Sequence, residues 1–327
     1  MTLPAKTHIL ISRTDAIGDV VLTLPMCGYI KSVYPNAVIS FLGRTYTGPV
    51  IKACAMVDHF INYDEMQKLP EPEMIRYLQD KNIDIVLHVF PNKHVAKLAR
   101  KARIKTRIGT TNRPYHWLTC NKLVKLSRKK SNLHEAQLNM VLLRPLNMAV
   151  PELAEIPKYY QFKPAAEVPA QLKQILTTDK FNLILHPKSH GSGVEWGINN
   201  FAGLIDLLPA ERFNIIITGS EKEKDLLNNW LKQQPEHVID VTGQMNLDEF
   251  IAFIHSADGL VASGTGPLHI AAACGINTLG LFPNTRPIHP QRWAPLGLKA
   301  NFIESDSGSL QSITPEMVAQ KINQWKK

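Results

Sequence analysis

Apolar residues in the first half of the chain fall into short runs separated by amphipathic stretches. "HILIS" (8–12), "AVISFLG" (37–43), "DHFINYD" (58–64), "IDIVLHVF" (83–90) and "TRIGTT" (106–111) have strand-like length and composition. The densest runs suit burial on both faces, as in a parallel sheet. Between them, "VVLTLPMCGYIKSVYP" (20–35), "PEMIRYLQDK" (72–81), "HVAKLARKARI" (94–104) and "HEAQLNMVLLRPLNM" (134–148) read as helices. Pro25 fits the first of these only within a first turn or at a kink.

Residues 151–170 carry four prolines and no period, which predicts a connecting segment. The plan then repeats. Strands are expected at "FNLILHP" (181–187), "FNIIITGS" (213–220), "HVIDVTG" (237–243), "GLVASG" (259–264) and "INTLGLFP" (276–283), with helices between them. A terminal helix begins near Thr314, a suitable cap, with Pro315 at its first position. Two successive βα arrays predict an α/β protein of two Rossmann-like domains, 1–165 and 166–327, with the terminal helix free to pack back on the first. In such a fold the ligand belongs in a cleft at the carboxyl ends of the strands. The suggestive loops, after "HILIS", "NLILHP", "IIITGS" and "LVASG", all leave such ends.

Length and composition fit this picture. A chain of 327 residues suits two domains, and 44% hydrophobic with 20% charged residues is a globular composition. No apolar run reaches the roughly 18–20 residues that cross a bilayer. The first residues lack a signal-peptide pattern, so a cytoplasmic location is expected. The four cysteines form no C-x-x-C pair and are expected to be buried free thiols rather than zinc ligands or a redox couple.

The net charge of +9 is concentrated. Residues 93–130 hold 13 Lys and Arg with no acid, leaving 24 bases against 28 acids elsewhere. Such a segment is either a solvated helix face and loop or an attractor of phosphate-rich partners. Those partners are nucleic acid, an anionic membrane surface or a phosphorylated glycolipid. Arg107 and Arg113 are its candidate acceptor-binding residues.

Four loops carry the candidate chemistry. In "SGTGPLH", Ser263, Gly264, Thr265 and Gly266 precede a helix. Two glycines admit close backbone approach, the first helical amides attract an anion, Thr265 adds a hydroxyl and His269 lies one turn on. A tight turn with a structural histidine would read alike. In "HPKSHGSGVEWG", Lys188, Ser189 and Ser192 supply a cation and hydroxyls fit for a diphosphate, with Trp196 expected to pack the next helix and simple solvation one reading of Glu195. In "TGSE", Glu221 follows a strand as a ribose-binding carboxylate does, or serves as helix N-terminal charge. In "RTDAIGDVVLTLP" (13–25), Asp15 and Asp19 flank Gly18 where an anion would be repelled. Asp15 caps or holds Arg13, and Asp19 is expected to be kept ionised by helix amides. A D-x-D motif and metal-ligand spacings are missing, so no metal or other cofactor is expected.

These residues in this order resemble glycosyltransferase family 9, the ADP-heptose:lipopolysaccharide heptosyltransferases. "RTDAIGDVVLTLP", "HPKSHGSGVEWG", "ITGSE" and "SGTGPLHIAAACGINTLGLFP" carry the likeness, supported by "PIHPQRWAPLG". The resemblance implies a GT-B fold, an acceptor domain followed by a nucleotide-sugar domain, and inverting, metal-independent transfer. It implies Asp19 as general base, with Asp15 and Gly18 beside the acceptor. Donor-binding roles fall to Lys188, Ser189, Ser192, Glu221, Ser263, Gly264, Thr265, Gly266 and His269. The partners it implies are ADP-heptose, a phosphorylated glycolipid and the inner face of the cytoplasmic membrane, where the protein would be peripheral. Two positions depart from the family pattern: Gly264 stands where Asp is frequent, and Val194 where Lys is frequent, with Lys188 as a substitute cation.

Three other readings remain open at this stage: a GT-B epimerase or hydrolase, an inactive family member, and a nucleic-acid-binding protein. The first needs further acids or histidines among the loops. The last lacks interleaved aromatics, offering only Tyr115 and Trp117.

Overall fold

The computed structural model describes Pro4 and residues 6–327 apart from 190 and 192. The chain divides into two compact units, Met1–Phe162 and Lys163–Lys327.

The first unit holds a six-stranded sheet of β1 (His8–Ser12), β2 (Val38–Gly43), β3 (His59–Asn62), β4 (Ile85–His88), β5 (Thr106–Thr110) and β6 (Lys122–Val124). All neighbours are parallel, in the order β3-β2-β1-β4-β5-β6. The second unit holds β7 (Phe181–His186), β8 (Phe213–Ile217), β9 (Ile239–Asp240), β10 (Gly259–Ser263), β11 (Asn277–Phe282) and β12 (Ala300–Glu304). Its order, β12-β11-β10-β7-β8-β9, is the same topology counted from its own first strand, again all parallel. Each sheet therefore reverses its strand order once: between β1 and β4 in the first unit, and between β7 and β10 in the second. Connections diverge at such a point and leave a crevice at the carboxyl edge.

The expected strands are present because the central ones are buried on both faces; β4, β7, β8 and β10 are buried throughout. Sequence reading missed β6 and β12, the outer strands "KLV" and "ANFIE", in which only Val124 and Ile303 are buried. A strand covered on one side only has no reason to be apolar. The expected helix 20–35 is two, Ile17–Val21 and Pro25–Val33, with Pro25 opening the second. "HEAQLNMVLLRPLNM" is the helix Glu135–Met140 continued as a 3₁₀ stretch, Val141–Leu146, that contains Pro145.

Part of the expected connecting segment belongs to the first unit. Its 3₁₀ stretch Leu153–Tyr159 packs on the helix Pro25–Val33 so closely that a Cβ at Gly28 would lie 2.1 Å from the Tyr159 carbonyl oxygen. The terminal helix Pro315–Ile322 lies in the second unit against the helix Ile198–Leu207, and Thr314 caps it by accepting the Met317 amide at 3.4 Å. Trp196 holds the same region together: its ring meets Phe201 edge-on and its Nε1–H donates to the Ile313 carbonyl at 2.7 Å.

A histidine ends one central strand of each unit. His88 closes β4 fully buried and stacks on His116 at 5.5 Å, and burial first, then His116, pushes its pKa down to about 3. A histidine neutral in the fold and protonated when unfolded leaves stability complete above its ordinary pKa of 6.5 and draws it down as pH falls from there toward 3. Urea titrations of the full chain should thus show declining unfolding free energy from pH 6.5 downward. The slope should be shallower in His88→Leu, by up to about 1.4 kcal/mol per pH unit. Equal slopes would refute the assignment.

Candidate active site

The loop after β1 opens at Arg13, whose amide donates to the Leu42 carbonyl at 3.0 Å. Its side chain is almost wholly buried, so its charge must be met by protein groups. Nε donates to Asp15 Oδ1 at 2.7 Å, Nη2 donates to Asp19 Oδ1, and Nη1 donates to Glu135 Oε1 at 3.3 Å and Asn139 Oδ1 at 3.1 Å. Arg128 meets the far side, with Nε donating to Glu135 Oε1 at 2.8 Å and Nη2 to Asn139 Oδ1 at 3.1 Å and the Val89 carbonyl at 3.2 Å. Asn139 donates in turn to the Leu22 carbonyl and Thr23 Oγ1, each at 3.1 Å, and the Thr23 hydroxyl donates to the Asp19 carbonyl at 2.8 Å. The network spans the β1–β4 switch point, because Val89 follows β4.

Asp15 therefore holds Arg13, which resolves its two expected roles. For Asp19 the cause differs from the expectation. It stands in a five-residue helix, and its state is governed by burial, which raises its pKa, against Arg13, which lowers it. Asp15 and Glu135 add repulsion, and the balance is about 6. Arg13 itself is held protonated; burial opposes its charge, and the facing carboxylates outweigh it. About one fifth of the Asp19 side chain faces solvent, so the carboxylate is reachable. Gly18 precedes it in the same short helix. Sequence reading missed Glu135, Asn139 and Arg128, which are distant in the chain.

Arg107 and Arg113 part company. Arg107 pairs with Val86 below the carboxyl edge, and its guanidinium donates to the Thr119 carbonyl at 2.7 Å and the Ile104 carbonyl at 2.5 Å, tying the sheet together. It is not brought to the first loop. Arg113 lies exposed just past β5, at the carboxyl edge, as N-cap residue of the helix Pro114–Thr119.

In the second unit, the loops after β7 and β10 flank the other switch point. They touch: a Cβ on Gly193 would lie 2.7 Å from the Gly264 carbonyl oxygen. Glu195 is partly exposed, but its carboxylate is committed to the loop after β7 and organises it. It accepts from Lys188 Nζ at 2.5 Å and from the Ser189 amide at 3.0 Å, while the one Ser189 hydroxyl proton is shared between the Gly193 carbonyl at 2.9 Å and Glu195 Oε1 at 3.3 Å. Burial raises the Glu195 pKa, but Lys188 and Ser189 outweigh it and hold the carboxyl below its ordinary range. Lys188 is thus a positioned cation on the loop. Ser192 lies outside the described residues.

At the end of β10, Ser263 Oγ and Thr265 Oγ1 are buried with no hydrogen-bond partner among the described residues, and Thr265 does not cap the helix Gly266–Cys274 with its side chain. The Gly266 and Leu268 amides of its first turn have no intrahelical acceptor, as at any helix start, and such amides can receive an anion. His269, buried, stands in the same turn, and Gly264 lies beside the Phe282 ring. Glu221 opens the helix Glu221–Leu231, exposed, its carboxylate against the Gly243 backbone. The helix is capped instead by Glu223, which accepts from Ser220 N at 2.7 Å and Ser220 Oγ at 2.8 Å and so leaves the Glu221 carboxylate uncommitted to the cap. The second unit gathers a cation, hydroxyls, helix amides and a carboxylate along one sheet edge, while the first presents a carboxylate backed by a buried arginine.

The family model for glycosyltransferase family 9 (heptosyltransferase) matches residues 73–323. The chain belongs to that family. It is 30% identical over 304 residues to a Haemophilus influenzae protein described only provisionally as a glycosyltransferase, covering 88% of this chain and 86% of that one. It is 23% identical over 295 residues to the lipopolysaccharide core heptosyltransferase OpsX of the same organism, with 87% and 81% covered. Among solved structures, Escherichia coli ADP-heptose lps heptosyltransferase II superposes with a TM-score of 0.75 at 20% identity, over 97% of each chain. The fold is GT-B and the protein is a glycosyltransferase. Among the described residues, no group of three or more His, Cys, Asp or Glu is placed to hold a metal ion, and no helix is long and apolar enough to cross a membrane.

The Arg13 network makes a sharp prediction about Asp19. Glu135→Gln keeps acceptors for both arginines and removes a negative charge that raises the Asp19 pKa. Carboxyl-carbon NMR titration should find Asp19 titrating below its native value of about 6. A midpoint that stays or rises would show that Glu135 does not act on it.

Proposed function

We propose that the protein transfers a heptosyl group from ADP-heptose to a hydroxyl of a phosphorylated lipopolysaccharide-core glycolipid, with inversion at the anomeric carbon. The observation that carries this is the Asp19 carboxylate, reachable from solvent and held by Arg13 at the switch point of the first sheet. A general base needs a pKa near working pH, and about 6 keeps Asp19 ionised at neutrality while still basic enough to take a proton.

In the reaction, Asp19 accepts the acceptor hydroxyl's proton as its oxygen bonds to the anomeric carbon. The bond from that carbon to the diphosphate breaks, and the diphosphate leaves with the electron pair. Its growing charge would be met by the Gly266 and Leu268 amides, the Thr265 hydroxyl and Lys188, with the Ser189 hydroxyl turning to it from the Gly193 carbonyl, and without a metal ion among the groups invoked. Ser263, Gly264 and His269 line the same turn, and Glu221 would accept the ribose hydroxyls. The family's usual Asp and Lys are replaced by Gly264 and Val194. Lys188, held by Glu195, is the cation that makes good the second change. Arg113, Asp15 and Gly18 would border the acceptor. A glycolipid acceptor places the work at the cytoplasmic face of the inner membrane, with the enzyme peripheral to it.

Asp19→Asn should lower transfer from ADP-heptose by about 10²–10⁴-fold while leaving donor binding, followed by thermal shift, unchanged. Near-native turnover would refute the base. In the native enzyme, kcat/KM should climb with pH and level off above about 6, because only the ionised carboxylate acts. A profile flat through that range would also exclude Asp19. Thermal shifts with UDP- and GDP-sugars larger than with ADP-heptose would overturn the donor.

A further inference from the structure

The basic segment carries an apolar feature that the transfer reaction does not use. The helix Pro114–Thr119 lies between β5 and the edge strand β6, and its Trp117 and Leu118 are 66% and 73% exposed. Leu123 on β6 adds a third exposed apolar side chain at 41%. We propose that Trp117, Leu118 and Leu123 form a wedge that enters the headgroup region of an anionic phospholipid bilayer, held there by the surrounding lysines and arginines.

The geometry favours lipid in three ways. First, the Trp117 indole N–H donates inward to the Thr111 carbonyl at 2.8 Å, so its outward-facing ring edge is carbon. Second, the helix is fixed rather than trailing. Its own His116 is fully buried, with Nδ1 accepting the Thr110 amide at 3.0 Å, and Arg100 Nη1 donates to the Leu118 carbonyl at 2.8 Å. A short rigid helix displaying Trp and Leu, tied down by its own polar atoms, suits a bilayer interface. Third, the segment that bears the helix and β6 is basic. Arg113, Lys122, Lys125, Lys129 and Lys130 are exposed in it, 93–130 holds no Asp or Glu, and the acids from outside that pair with it, Glu71 and Glu135, meet Lys101 and Arg128 instead. Such a field draws the surface to anionic headgroups before the apolar wedge engages. Leu118, the most exposed of the three, stacks on no base, which argues against single-stranded nucleic acid as the occupant.

The position serves the proposed reaction, on which this part of the inference rests. Thr111, the anchor of Trp117, is one residue past the carboxyl end of β5, on the sheet edge that also bears the Arg13–Asp19 loop. Docking there would present that edge to a lipid-anchored acceptor.

Vesicle co-sedimentation of the full chain tests the wedge. The protein should bind phosphatidylcholine vesicles containing phosphatidylglycerol, release at high salt, and bind pure phosphatidylcholine poorly. The doubly substituted Trp117→Ser, Leu118→Ser protein should partition at least about tenfold less while keeping its thermal stability and its turnover of a deacylated, water-soluble acceptor. Brominated lipid should quench native fluorescence more than that of Trp117→Phe. Failure to bind anionic vesicles, undiminished binding of the double variant, or a shift in native oligomeric state on substitution would overturn the wedge. So would loss of RNA binding in the double variant with no vesicle binding by the native protein. Vesicle binding without any transfer to the soluble acceptor would leave the wedge standing and defeat the proposed reaction instead.

Discussion

Arg13 carries a permanent charge into a place with almost no solvent, at the point where a sheet reverses its strand order. A buried guanidinium is costly unless its donors are met with good geometry. Here they are met by Asp15, Asp19, Glu135 and Asn139, drawn from two distant parts of the chain. Much of the first unit's carboxyl edge follows from satisfying that charge. The loop after β1, the short helix bearing Asp19, the helix Glu135–Met140 and the segment after β4 all converge on it. The arrangement also produces a carboxylate with divided loyalties: burial and two neighbouring acids push its proton affinity up, and one arginine pulls it down. A base near neutrality is what such a balance yields.

The second unit inverts the signs. There a carboxylate, Glu195, is the organiser, and it gathers Lys188 and both donors of Ser189 into one loop. That loop lies against Gly264, so that the cation, the hydroxyls and the uncapped helix start of the β10 loop share one sheet edge. The two units thus repeat one topology and use it differently. One sets a negative group against a buried cation, while the other sets cationic and amide donors where an anion can be received.

Much of the fold was legible because burial on both faces writes itself into sequence as dense apolar runs. The apolar density of β1, β7, β8 and β10 leaves little choice of structure. Two of the four edge strands were legible, β3 and β9, but two were not: "KLV" and "ANFIE" expose most of their side chains and lack the pattern that buried strands require. The loops were legible as loops and, through their similarity to a family, as candidate chemistry. The state of the groups in them was not. Asp19 reads from sequence as a carboxylate stabilised by helix amides, but its helix has five residues and its partner is a side chain six positions earlier. Glu195 can be read as a solvated acid in a loop of small residues and is the clasp of that loop.

What the sequence by itself determined is the pair of parallel sheets, the placing of Asp19, Lys188, Ser189, Glu221 and Thr265 at strand ends, and a basic segment without acids. These follow from local periodicity and composition, which need no knowledge of distant neighbours. Only the tertiary structure decided that Arg13 is shared with Glu135 and Asn139, that Arg107 braces the sheet while Arg113 stays exposed, and that Trp117 and Leu118 face outward. The first joins residues over a hundred positions apart, and the other two follow from how β5, the helix Pro114–Thr119 and β6 exclude water from one another, which local periodicity does not show. That exclusion fixes both the charge a group carries and the surface it presents.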